Sequence, residues 1–235
     1  MTETVAPDVA AAPTPPSLPL SAPRMALRSA LILLAYVALF TGLLAAAYQW
    51  TRPAIEASLA AEKMKFINEV LPAGNYDNDL LADTLSLPPM PELGTKAASQ
   101  VYRARRAGQP AALVLEAVAP DGYAGNIRLV IGITASGDIT GVRVVEHRET
   151  PGLGDYIDPA KDKNRQKNPW IAQFVGLNVP SVPDADWKVK KDKGRFDARA
   201  GATVSPRAVV EAVRKATRFA VREQERLFVE EGKTP

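Results

Sequence analysis

Gly201-Ala202-Thr203 sets one side-chain hydroxyl behind two small residues and just ahead of the pair Ser205-Pro206. Ser followed by Pro marks a helix start: Ser accepts from the unpaired amides of the first turn, and Pro supplies the φ the first helical position needs. Thr203 then lies two residues before the helix, where free N–H groups and roughly half a positive charge favour an anion such as phosphate. Gly201 and Ala202 leave room for a cofactor or a modifying enzyme to approach the backbone. The chemistry this spacing suggests is an ester between Thr203 and a phosphate-bearing cofactor. On the residues alone, a tight entry to a capped helix is the commoner explanation of the same three residues, since caps outnumber phosphate sites.

Other residues offer less. Glu149-Thr150-Pro151-Gly152-Leu153-Gly154 has two glycines and a proline to shape a loop whose amides and small side chains can line a flat ring, or simply link a strand to a helix. Asp121-Gly122-Tyr123-Ala124-Gly125 predicts a hairpin turn with one packed aromatic. His147, the only histidine, lacks the surrounding carboxylates a metal site needs and any recognisable substrate pocket, so it is not assigned to catalysis. Lys161 to Lys167 reads as a solvated charged stretch, and Trp170 and Trp187 as core.

Composition narrows the options. The 235 residues include no Cys, which excludes disulfides, thiolate-ligated iron–sulfur clusters and Cys-linked haem; any electron carried here needs an organic cofactor. Lys plus Arg total 29 against 26 Asp plus Glu, and no basic run is interleaved with aromatics, so nucleic acid is not an expected partner.

The elements that must position Thr203 follow from periodicity. Six prolines among Ala, Thr and Ser in residues 1 to 23 predict a disordered tail, assigned here to 1–28. Ser29 to Tyr48 is an uncharged run long enough to span about 30 Å as a helix, with Tyr48 and Trp50 where an interfacial belt belongs. A retained transmembrane helix at 29–50 is expected. A cleaved signal peptide is the competing reading, since Ala45-Ala46-Ala47 imitates a cleavage site, but the apolar run is longer than such peptides use. Pro53 to Val70 suits a stalk helix stopped by Leu71-Pro72-Ala73-Gly74, and 72 to 95 reads as irregular connection, giving a 51–95 segment. From 96 to 230 a soluble domain is expected. Four antiparallel strands run from Val101 to Glu146, Pro169 to Val175 suits a short helix, and Trp187 to Lys191 a further short strand. Val209, Val213, Ala216 and Ala220 recur at helical spacing opposite Arg214, Lys215, Arg218 and Arg222, which makes an amphipathic helix. The fold class is α+β, an antiparallel sheet with helices packed against one face.

Three segments together resemble one family. Gly201-Ala202-Thr203-Val204-Ser205-Pro206, with Phe196-Asp197 before it and Val209-Val210-Glu211-Ala212-Val213 after it, resembles the flavinylation site of RnfG-type subunits of ion-translocating electron-transport complexes that couple ferredoxin and NAD. Asp121 to Ile127 and His147 to Gly154 match the same family, in family order. The resemblance implies FMN joined through its phosphate to the Thr203 hydroxyl, with Gly201, Ala202 and Ser205 about the phosphate and Glu149, Thr150, Gly152 and Leu153 beside the ring. It also implies a flavin transferase that uses FAD as donor outside the cytoplasm, other membrane subunits as electron partners, and no substrate turnover in this chain. The family places the large domain in the periplasm, behind a single pass through the bacterial inner membrane. Ala200 departs from the family's usual Ser or Thr before the Gly; Asp197 matches its acidic position. The alternatives are the flavin subunit of a sodium-translocating NADH:quinone reductase, and a membrane-anchored binding or sensory module without covalent flavin.

Overall fold

The computed structural model describes residues 22–162 and 168–230. The proline-rich run up to residue 21 and most of the Lys161–Lys167 stretch lie outside the described residues. By compactness the chain divides between Ala57 and Ser58.

Helix α1 is one continuous element, Ala22–Val70. Ala and Leu, both strong helix formers, recur along it, and Pro53 is carried inside it. Its start at Ala22 makes the last residues assigned to the tail helical, and the expected span and stalk are a single helix. Leu31, Leu34, Phe40, Leu43 and Tyr48 are all exposed, so the apolar run is not covered by protein. Such a surface suits lipid. The helix ends ahead of Pro72, which disfavours helical backbone in the residue before it.

The sheet has five antiparallel strands in chain order: β1 (Thr84–Leu87), β2 (Ser99–Arg106), β3 (Gln109–Gly122), β4 (Gly125–Thr134) and β5 (Ile139–Glu146). Strands β2 to β5 are the four expected. β1 was not expected: its four residues pair with β2 from Thr84↔Tyr102 to Leu87↔Ser99, too short a run for alternation to register. Register aligns Val101 with Leu115, Leu115 with Ile131, and Ile131 with Val142, a row buried on one face. Helix α2 (Val204–Arg222) covers that face with Val209, Val213, Ala216, Phe219 and Ala220, and the short α3 (Gln224–Val229) follows it.

The other face is covered as well, which corrects the expectation of helices on one face only. Tyr102, Ala104, Ala112, Val114 and Val130 pack with Ile67, Val70 and Leu71 from the end of α1. Two glycines make this approach possible. Gly132 and Gly141 are paired across β4 and β5, and a Cβ on Gly141 would stand 2.7 Å from Val70 Cα. The Thr140 hydroxyl donates to the Val70 carbonyl at 2.5 Å and pins the helix end there.

Between β5 and α2 the chain runs in short 3-10 turns. Trp170–Phe174 is the short helix expected near Pro169. Trp187 to Lys191 forms no strand; 3-10 turns at Asp184–Asp186 and Lys190–Asp192 flank a lone parallel bridge between Val189 and Phe196. Successive contacts link Tyr156, Trp170, Phe174, Phe196 and Trp187. Trp170 and Trp187 are core, as expected.

Candidate cofactor site at the start of helix α2

Three turns converge at the N-terminus of α2. Arg199 to Ala202 closes with the Ala202 amide donating to the Arg199 carbonyl at 3.1 Å, and Gly201 takes φ +79° at the third position. A positive φ there is what this turn asks of Gly. Nothing lies within 4 Å of where a Gly201 Cβ would stand, so Gly201 is required by its backbone. Below the turn the buried Tyr156 hydroxyl donates to the Ala202 carbonyl at 3.0 Å and accepts from the Arg199 amide at 3.1 Å. Ala200 is exposed at the corner.

The second turn is Thr150-Pro151-Gly152-Leu153, with the Leu153 amide donating to the Thr150 carbonyl at 3.1 Å and Gly152 at φ +78°. Pro then Gly at its centre defines a type II turn. The third is the Tyr123-Ala124 tip of the β3–β4 hairpin. Tyr123 is 71% exposed, which overturns the packed aromatic expected from the sequence.

Ser205 does not cap. Helix α2 begins at Val204, with Thr203 itself at the N-cap, two positions before Ser205, where the Ser-Pro pair put it. The Ser205 hydroxyl instead donates to Glu149 Oε2 at 2.5 Å, fully buried, while the Ala124 amide donates to Glu149 Oε1 at 3.2 Å. Glu149 is 4% exposed and ties all three segments together: its own loop, the hairpin tip and the first turn of α2. Gly154 makes room for the clamp, since a Cβ there would stand 2.5 Å from Ser205 Oγ.

Thr203 is left with a hydroxyl that makes no side-chain cap; among the described residues it accepts a long 3.4 Å hydrogen bond from Arg207 Nη1. Tyr123, Glu149, Thr150, Leu153, Gly154, Gly201, Ala202, Thr203, Val204 and Ser205 line a cleft of about 140 Å³. All the expected site residues except Gly152 line it; Tyr123, Gly154 and Val204 are additions. Pockets that enclose a drug-sized ligand run to about 300–1,000 Å³, so this cleft is smaller than a whole such ligand, and exposed Tyr123, Leu153 (52%) and Val204 (42%) stand at it. Asp197 stands apart, 2.6 Å from Lys190 Nζ. His147 is a local hydrogen-bonding group, its Nδ1 accepting from the Glu149 amide at 3.2 Å.

A larger cavity of about 530 Å³ lies on the opposite face, among Leu59, Phe66, Tyr102, Glu116 and Val130. Burial and Glu116 push the Tyr102 hydroxyl pKa up and keep it protonated. None of the three motif segments reaches it. Among the described residues no group of His, Cys, Asp and Glu could hold a metal.

The family model for an FMN-binding domain matches residues 122–218, a range that contains all three turns, and that for the RnfG N-terminal region matches 21–70. Fold, site and matches together define the class: an α+β FMN-binding domain preceded by a long apolar helix. The G subunit of the ion-translocating oxidoreductase complex of Pseudomonas aeruginosa strain UCBPP-PA14 is 44% identical over 208 residues, 88% of this chain and 94% of its own. Its counterpart in Shewanella baltica OS223 is 40% identical over 202 residues (86% and 92%), and that of Vibrio cholerae M66-2 is 42% identical over 200 (85% and 92%). The chain belongs to this family, the G subunits of ion-translocating oxidoreductase complexes.

Proposed function

We propose that this chain is the flavoprotein subunit of a membrane electron-transport complex, coupled to ferredoxin and NAD, and carries FMN esterified through its phosphate to Thr203. The observation that supports this most is that the Thr203 hydroxyl is not used for capping: the cap position is filled by a residue that does not cap, and the neighbouring Ser is taken by Glu149. The reading gives Gly201 the turn that presents Thr203, Ala202 the tie to Tyr156, and Ser205 and Glu149 the clamp on the helix start. Thr150, Gly152 and Leu153 shape the rim beside the ring.

FMN, when bound, supplies a ring able to hold zero, one or two electrons, so it connects single-electron and two-electron carriers. The protein's share is position and electrostatics. First-turn amides of α2 and the helix dipole favour a phosphate at Thr203. Glu149, buried and hydrogen-bonded from both Ser205 and Ala124, keeps three turns in one geometry. An ester bond prevents loss of the cofactor by dissociation, which matters in a compartment that does not retain free flavin. No substrate-turnover site is assigned to the chain; electrons arrive from and leave to neighbouring subunits.

The same reading assigns 1–28 to a cytoplasmic tail, 29–50 to a single retained span of the bacterial inner membrane, 51–95 to stalk and connection, and 96–230 to a periplasmic domain whose sheet β1 extends. A periplasmic flavin transferase supplies the FMN from FAD. The span carries no Asp, Glu, Lys, Arg or His, so ion movement belongs to partner subunits. Coexpression with a flavin transferase tests the reading. The denatured band fluoresces and gains the mass of FMN minus water, and Thr203→Ala abolishes both; a dark, unshifted wild-type band rules it out.

A further inference from the structure

We propose that Arg207 is the anion-binding residue of this site, its guanidinium held ready to neutralise the phosphodiester formed on Thr203; the inference rests on Thr203 being the attachment residue. Arg207 lies four residues after Thr203 on α2, the spacing that stacks side chains on one helix face, and side chains lean toward the N-terminus. Its fork is committed on one side. Nε and Nη2 each lie 2.6 Å from a different oxygen of Asp192, a bidentate pair. Nη1 takes no part in that pair and is aimed at Thr203 Oγ1 from 3.4 Å.

Asp192 orients the guanidinium without competing for Nη1. Its carboxyl is held below the usual carboxylate range, first by the hydrogen bond from Arg207 and further by Lys191 and Lys188. Arg207 and Asp192 cancel in charge, and those two lysines leave a local positive surplus for the single negative charge of a phosphodiester. A point charge such as Lys could not satisfy Asp192 bidentately and still direct a donor at Thr203.

The attachment step fixes what Arg207 meets. The Thr203 Oγ–P bond forms to the FMN-side phosphorus of FAD, and the P–O–P bond breaks. AMP leaves with the electron pair, and the hydroxyl proton passes to solvent. Both the donor pyrophosphate and the product diester place non-bridging anionic oxygens beside Thr203 Oγ, where Nη1 can donate to one of them.

The test uses the full-length chain in detergent with a flavin transferase and FAD, following fluorescence and intact mass with time, then the ³¹P resonance of the loaded protein. Arg207→Ala is expected to slow attachment about tenfold, the worth of one exposed charge-assisted hydrogen bond, and to move the ³¹P resonance. Arg207→Lys restores part of the rate, and Asp192→Asn slows it as well. Loading at the wild-type rate in Arg207→Ala with an unmoved ³¹P resonance overturns the assignment while leaving Thr203 intact, as does an Asp192→Asn change confined to thermal unfolding with Arg207→Ala loading normally. A wild-type chain that does not load, or a Thr203→Ala chain that does, overturns both readings.

Discussion

Thr203 and Ser205 exchange the roles their order suggests: the Thr caps by position without using its hydroxyl, and the Ser hydroxyl serves a buried carboxylate. Removing that hydroxyl leaves Glu149 short of its strongest donor. Ser205→Ala is expected to cost about 1.5–3 kcal/mol, a fall of about 3–10 °C in the unfolding temperature of the solubilised chain. Gly201→Ala tests a different term. With open space around the new Cβ, only the left-handed backbone is penalised, by about 1–2 kcal/mol. Unfolding should fall correspondingly, and flavin attachment should slow because Thr203 is presented by that turn; an unchanged melt would mean the turn relaxes freely.

Elements meet at two places the periodicity does not reveal. Gly141 accommodates the end of α1, and Gly141→Ala pushes a Cβ into Val70, an overpacking cost of about 1–3 kcal/mol measured by thermal unfolding. Asp138 joins the β4–β5 turn to the loop after Phe174. Its carboxyl accepts from the Ser136 hydroxyl at 2.7 Å and the Asn178 amide at 3.0 Å, and these bonds, Ser136 first, hold it below the usual carboxylate range. A lowered folded pKa means the unfolded chain binds more protons as pH drops. The stabilisation is therefore complete above the ordinary Asp value near 3.8 and is lost as pH falls through the folded value. Asp138→Asn should melt with a smaller difference between pH 7 and pH 3 than the wild type; equal differences would remove Asp138 from the acid response.

The whole molecule joins an uncovered apolar helix to a domain with both sheet faces buried. A retained span predicts that the chain stays with membranes through an alkaline carbonate wash, leaves them in detergent, and keeps the residues that precede Ala47. Cleavage after Ala47 with release into the soluble fraction would establish a signal peptide instead. A reporter fused after residue 60 reads which side the domain occupies, because charges on the two flanks, Arg24 and Arg28 against Arg52, Lys63 and Lys65, nearly balance.

Local signals were legible in the sequence: the apolar run of α1, the alternation of β2 to β5, the stripe of α2, and a threonine beside a helix start, all of which depend on residues within a few positions of one another. The motif resemblance added which cofactor to look for. What stayed hidden depends on residues far apart in the chain. β1 is recognisable only by pairing with β2, the second sheet face is buried by Val70 against Gly132 and Gly141, and Ser205 chose Glu149, 56 residues away, over the amides beside it. Helix capping is a contest between local amides and whatever the fold brings near. Here a buried carboxylate, which cannot be left without a donor, took the Ser hydroxyl and left the Thr203 hydroxyl uncapped, an outcome decided by tertiary packing alone.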